Sequence, residues 1–223
     1  MLTGWTAHDE REGFTSAPEE LAAELGAAWI EDDLGDAEGP ERVIAAAEEA
    51  VGPLTALVCC HAHSDVGGLL EASATQIDRH LAVNGRGTLL LIAEFARRFR
   101  GELGTGRVVT FSSGLPLAGE IAYAAGKGAL EWLTISAAAE LAPRGICVNA
   151  VDPGPTETGW ISPELRARLL AEAPLGRLGT PADSAELVAF LCSARGGFIT
   201  GQVLRCDGGW STLRTLRRGR DAV

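Results

Sequence analysis

The chain has 223 residues, with 19 Lys and Arg against 30 Asp and Glu, for a formal net charge of −11. That balance argues against nucleic acid as a partner, because such binding rests on neutralising phosphates. No apolar run approaches the ~20 residues of a membrane helix and no signal-peptide pattern opens the chain, so the expectation is a cytoplasmic protein with no membrane partner.

The length suits one sizeable domain around a single core. Five cysteines, none in a C-x-x-C pattern, suggest no disulfide framework and fit a reducing compartment. Strand-like and helix-like stretches alternate, which predicts a parallel sheet covered on both faces. Thr15, Ser16 and Pro18 start a helix that Gly26 stops. Trp29-Ile30 leads a short strand into Asp32-Asp33-Leu34. Residues 41–50 read as a helix ended by Gly52-Pro53. Leu54 to Cys60 is an apolar run typical of a central parallel strand. A long helical stretch follows from Thr75 to Arg100, bent near Gly85 and Gly87. The next strand is Arg107 to Phe111, and Ile121 to Leu141 is a helix. Ile146 to Val151 is a strand, followed by the short helix Pro163 to Ala171. Ala182 to Cys192 is a helix, and Gln202 to Cys206 is the last strand. No internal repeat or second-domain linker stands out.

Chemistry concentrates at Tyr123-Ala124-Ala125-Gly126-Lys127. A Tyr and a Lys four apart on a helix share one face. A phenol is a weak acid, with a free pKa of about 10, and a nearby ammonium would draw that value toward the working range. A serine from the strand end Val108-Val109-Thr110-Phe111-Ser112-Ser113 could hold a substrate oxygen beside the phenol. Such a set can move a proton to or from a carbonyl or alcohol oxygen.

Further segments carry a resemblance in the same order along the chain. They are Asn84 within His80-Leu81-Ala82-Val83-Asn84-Gly85-Arg86-Gly87, the strand ending Val151-Asp152-Pro153-Gly154, Pro174 to Pro181, and Ile199-Thr200-Gly201-Gln202 through Asp207-Gly208-Gly209. Together with the Tyr and Lys they resemble the short-chain dehydrogenase/reductase family. The resemblance implies a Rossmann-like, doubly wound α/β sheet over residues 1–210, with 211–223 as a basic tail that includes Arg214, Arg217, Arg218 and Arg220. It also implies NAD or NADP as cofactor, a small-molecule substrate and a homodimer or homotetramer. Trp132, Leu133 and Ile135 lie on the helix that packs against a second subunit in the family. Tyr123 would be the acid/base, Lys127 would hold the nicotinamide ribose, Ser113 would orient substrate ahead of Ser112, and Asn84 would join a proton relay through water. Within the family it is similar to the 3-oxoacyl carrier-protein reductases, a likeness that does not fix the substrate.

Several positions depart from the family pattern. Met1-Leu2-Thr3-Gly4-Trp5 is similar to the family's second strand, so the first strand, its glycine-rich turn and the first helix are missing. In the order 3-2-1-4-5-6 that strand lies mid-sheet, and its loss exposes main-chain groups on both sides of the gap. A start assigned too late is the simplest explanation; a true deletion and a strand supplied by another chain are the others. A protein of this kind that no longer binds cofactor and acts through interactions is therefore the rival to an enzyme. Nine residues separate Ser113 from Tyr123, fewer than the family usually has, so the loop Gly114 to Ala122 is short.

On the cofactor side, Asp33 and Leu34 stand where the family touches the adenine, or are a plain acidic strand end. Asp9, with Thr6, His8 and Arg11 nearby, stands where the ribose would be read. Cys59-Cys60-His61-Ala62-His63 replaces the family's Asn-Asn-Ala-Gly, although the backbone at Cys59 and Ala62 would still approach the cofactor. Thiols and imidazoles can bind zinc, but adjacent cysteines on a strand face opposite ways and no second ligand cluster is evident. The cysteines are therefore read as packing, with no metal. Pro153, Gly154, Thr156 and Thr158 would meet the nicotinamide amide and the phosphates. Trp160 to Ala171 would form a lid whose Trp160, Ile161, Leu165 and Leu169 suggest an apolar pocket.

Overall fold

A computed structural model describes residues 1–6, 18–113, 119–159 and 161–213. The helix start at Thr15 and Ser16, the ribose-side His8, Asp9 and Arg11, Trp160, and the arginines of the tail lie outside the described residues, as do residues 114–118 of the short loop.

The strands are β1 (Leu2–Gly4), β2 (Trp29–Glu31), β3 (Ala56–Cys59), β4 (Gly106–Phe111), β5 (Ile146–Asp152) and β6 (Val203–Arg205). The helices are α1 (Pro18–Glu24), α2 (Gly39–Val51), α3 (Ala74–His80), α4 (Thr88–Arg98), α5 (Ile121–Leu141), α6 (Pro163–Glu172) and α7 (Pro181–Cys192). Every ladder is parallel. Neighbouring residues of β4 point to opposite faces, as the pleat requires. Val108 joins a core with Leu91 and Phe95 of α4 and Ala138 of α5. Val109 joins a second core with Leu191 of α7. The expected α/β architecture, with helices on both faces of a parallel sheet, is the one observed. Among the described residues no helix is long and apolar enough to cross a membrane.

The sheet comes in two pieces. β1 pairs with β2, and β3-β4-β5-β6 form a second ladder. Among the described residues β1 and β3 are not hydrogen-bonded to each other. The apolar run at β3 predicts a buried central strand, yet Ala56 and Val58 are exposed, Val58 at 40%. β3 ends its ladder, whereas β4 and β5, with a neighbour on each side, are buried almost throughout.

Side chains join the two pieces. Leu34, Val43 and Ile44 from the β2–α2 unit enter the same core as Leu91, Phe95 and Val108. Asp33 takes a bidentate ion pair from Arg79 of α3, with both N···O distances 3.0 Å, and the Arg79 guanidinium lies over the Trp5 ring.

The long helix predicted over 75–100 is two α-helices joined by a π-helical stretch, Leu81–Gly87. The bend foreseen at Gly85 and Gly87 is this wider turn. It lets Gly87 press against the β2 exit: a Cβ there would lie 2.6 Å from the Leu34 carbonyl oxygen, while a Cβ at Gly85 would meet nothing within 4 Å. Alanine replacing glycine in a helix ordinarily stabilises by up to about 1 kcal/mol. At position 87 the contact atom is main chain and cannot swing aside, so an overpacking cost of about 1–3 kcal/mol wins. Gly87→Ala is therefore expected to lower the urea midpoint and Gly85→Ala to leave it unchanged or raise it. Equal midpoints for the two variants would show that the close approach carries no energy.

Candidate functional site

The carboxyl ends of β3, β4 and β5 meet the first turns of α5. Lys127 is 3% exposed, and its Nζ donates to the carbonyls of His61 (3.1 Å) and Phe111 (3.0 Å), just beyond β3 and at the end of β4. Burial lowers its pKa to about 8, against a smaller opposing effect of the Cys59 and Cys60 thiols. Tyr123 is half-buried one helical turn earlier. Burial pushes its phenol up to about 12, with Glu120 and Asp152 adding to the shift. The expectation that Lys127 draws the phenol down is not met: the ammonium is turned to two strand-end carbonyls, and the charges felt by the phenol are carboxylates.

Ser112 and Ser113 follow β4. Ser112 is buried, and its Oγ has no hydrogen-bond partner among the described residues. Ser113 is half-buried.

Asn84 sits buried in the π-helical stretch and grips one residue at both main-chain groups. Its Oδ1 accepts from His63 N (2.7 Å) and its Nδ2 donates to His63 O (2.9 Å). The Thr88 hydroxyl donates to the Asn84 carbonyl (2.8 Å) and lies 3.0 Å from His61 Nε2. Burial, then the Lys127 charge, holds the His61 imidazole down at about 4, so it is neutral. Lys127, His61, Thr88, Asn84 and His63 thus form one continuous set of contacts.

The cofactor-side positions separate into two groups. Beyond β5, Gly154 (φ 59°) packs where a Cβ would lie 2.5 Å from Asp207 Cβ. Thr156 Oγ1 donates within its own turn to Pro153 or Gly154 O, and Glu157 N donates to Gly179 O (2.9 Å). Thr158 is exposed. At the other end, the Asp33 carboxylate is spent on Arg79 and Gly35 N, and the Leu34 side chain is core. Cys59 is buried and Cys60 exposed, the opposite facing expected of strand neighbours. Burial pushes the Cys59 thiol up to about 12, an inert form. Ala62 is half-buried. In the lid segment, Ile161 and Leu169 pack against Ala173, Leu178 and Trp210, while Leu165 is 39% exposed.

Sequence reasoning gave no role to Thr88 or Asp152; it weighed His63 as a zinc ligand only with the neighbouring cysteines, and missed that His63, Asp65 and His80 bring ligand-type atoms within 4.8 Å of one another. Only the density of histidines around residues 61–80 hinted at the last.

A family model described as Enoyl-(Acyl carrier protein) reductase matches residues 5–211. An uncharacterized oxidoreductase of Bacillus subtilis (strain 168), YjdA, is 43% identical over 182 residues, covering 80% of this chain and 72% of that protein. The inactive 2-(S)-hydroxypropyl-CoM dehydrogenase 2 of Xanthobacter autotrophicus is 38% identical over 221 residues, covering 92% of this chain and 94% of that protein. A solved structure of a Serratia marcescens short-chain dehydrogenase/reductase double mutant matches with a TM-score of 0.81 and 31% identity, over 94% of this chain and 86% of that one. The matches span nearly the whole described sheet and its helices, and the chain belongs to the short-chain dehydrogenase/reductase family.

Proposed function

We propose that the chain is an NAD(P)-dependent oxidoreductase that interconverts a ketone and a secondary alcohol by hydride transfer, with Tyr123 as the acid/base. The observation that carries this reading is the placement of Lys127. Its ammonium has three donors, two fixed on strand-end carbonyls, one turn from the phenol. The third donor suits a ribose hydroxyl. The carboxyl ends of parallel strands are also where ligands bind in open α/β sheets.

The fit to a dinucleotide is good at the nicotinamide end. Lys127, Thr156 and Thr158 would hold the ribose and the amide, with Pro153 and Gly154 shaping the turn. At the adenine end, Asp33 and Leu34 have main chain to offer, since their side chains are engaged, as do Cys59 and Ala62. The nicotinamide supplies the hydride when bound. The rest falls to this chain's residues. Ser113 orients the carbonyl oxygen, and Tyr123 gives that oxygen a proton. Asn84 supports the relay by position, because its amide is spent on His63. Resemblance to the 3-oxoacyl carrier-protein reductases supports an oxo group on an acyl chain. Trp132, 76% exposed, and Ile135 on α5 support a dimer or tetramer face.

A second reading is a non-catalytic member of the family. The raised phenol and the engaged Asp33 favour it, and one similar relative is named as inactive.

Two measurements separate and test these readings. Titration with NADH and NADPH, followed by nicotinamide fluorescence, is expected to show saturable binding of one of them. No binding of either would leave the second reading standing. Tyr123→Phe is expected to lower kcat by about 10²-fold or more with cofactor binding retained, and unchanged turnover would refute the acid role.

The buried ammonium has its own signature. The folded pKa of Lys127, about 8, lies below its ordinary 10.5. The unfolded chain then binds more protons in that window, so this group's contribution to stability rises from pH 8 to 10.5. Relative to Lys127→Met, the parent protein is expected to gain roughly 1–3 kcal/mol across the window in urea unfolding. Taking the difference removes the opposing effect of the raised Cys59 thiol. A flat difference would mean that the ammonium is not desolvated.

A further inference from the structure

Loop 61–73 leaves β3, crosses the site and returns to α3. Two of its residues meet one helix residue. His63 and His80 are buried, at 2% and 0% exposure, and their rings meet edge to face with centroids 4.7 Å apart. His63 Nε2 lies 3.0 Å from Asp65 Oδ2. His80 Nδ1 donates to the Gln76 carbonyl at 2.8 Å, which leaves its Nε2 with a lone pair, directed at Asp65 N (3.1 Å). Two imidazoles and one carboxylate therefore bring ligand-type atoms within 4.8 Å of one another.

We propose that His63, Asp65 and His80 bind one zinc ion. Three features support the assignment. First, zinc at ~2.0–2.2 Å from N and O donors sets tetrahedral ligand atoms ~3.3–3.5 Å apart, so the trio needs to shift by little more than about 1 Å. Second, a metal-bound histidine characteristically gives its other ring N–H to a carbonyl, and the His80–Gln76 bond already supplies this. Third, imidazole donors select zinc and its first-row neighbours over magnesium or calcium. The half-exposed Asp65 gives the ion its way in, and water completes the fourth position.

The ion replaces two hydrogen bonds, His63–Asp65 and Asp65 N–H to His80. A neutral His63 that carried its proton on Nε2 shifts it to Nδ1; a charged one releases it. The role is a staple. His63 is the residue whose main chain Asn84 holds. Four residues on, Gly67 N donates to Gly119 O and Gly67 O accepts from Ile121 N at the start of α5. Zinc thus fixes the segment between β3 and the helix that carries Tyr123, and does so whether or not the chain turns over a substrate.

The test is zinc content and thermal unfolding of the full chain, stripped with EDTA and then dialysed against ZnCl₂ or MgCl₂. One zinc per chain is expected, with a midpoint raised by ~3 °C or more at saturation, and no shift with MgCl₂. Asp65→Asn keeps the main-chain bond to His80, and His80→Asn keeps a donor for Gln76 O, so both variants are built to fold. Loss of a supporting group alone costs ~10–100-fold in metal affinity, so each variant is expected to bind zinc at least tenfold more weakly. Absence of stoichiometric zinc in the parent protein would overturn the proposal. So would zinc retained undiminished in either variant, which would place the ion elsewhere, such as at the exposed Cys60.

Discussion

A lysine ammonium buried, among the described residues, without a carboxylate against it is the constraint around which the site is built. Removing such a charge from water costs several kcal/mol unless hydrogen bonds replace the lost hydration. Lys127 meets that demand with two main-chain carbonyls, and those carbonyls are available because β3 and β4 stop where they do. Strands inside a ladder spend their carbonyls on neighbours. Phe111 and His61 lie at and just beyond the ends of their ladders, where acceptors are left over. The lysine in turn fixes the rotation of α5, and with it the position of Tyr123 one turn earlier.

Fixing α5 demands close approach on its other side. Gly126 sits between Tyr123 and Lys127, and a Cβ there would lie 3.0 Å from Asn84 Cβ and 3.3 Å from the His80 carbonyl. The π-helical stretch that carries Asn84 can therefore press against α5 and still reach the His63 main chain. The charge state of the neighbours follows the same logic. The His61 imidazole beside the ammonium is held neutral and the Cys59 thiol protonated. Neither neighbour then sets a charge beside the ammonium.

Much of this was legible in the order of residues. The 21-residue helix Ile121–Leu141 was read with the ends it has. The Pro153-Gly154 turn was readable from the resemblance, and its glycine suits the left-handed backbone found there. What escaped depended on partners far along the chain. Exposure of Val58 depends on what stands beside β3, which an apolar pattern cannot report. The two glycines at 85 and 87 advertised a bend, but only Leu34, some fifty residues earlier, explains why one of them must lack a side chain. The direction of the Tyr123 shift is set by burial, then by Glu120 and by Asp152 at the end of β5, and the i, i+4 spacing to Lys127 says nothing about them.

The segment from Cys59 to Asp65 shows how a departure in side chains can leave a site's framework intact. The family pattern places amide side chains here, and this chain has two thiols and two imidazoles instead. Thiols cannot brace a loop as amides do. The bracing is instead applied to the main chain: Lys127 holds the carbonyl of His61, and Asn84 holds both main-chain groups of His63. Any residue but proline presents those same groups, so this part of the bracing does not depend on which other side chains the loop carries. The side chains at 59, 61 and 63 are released for other uses, namely apolar filling by Cys59, a neutral contact to Thr88 by His61, and convergence on Asp65 and His80 by His63.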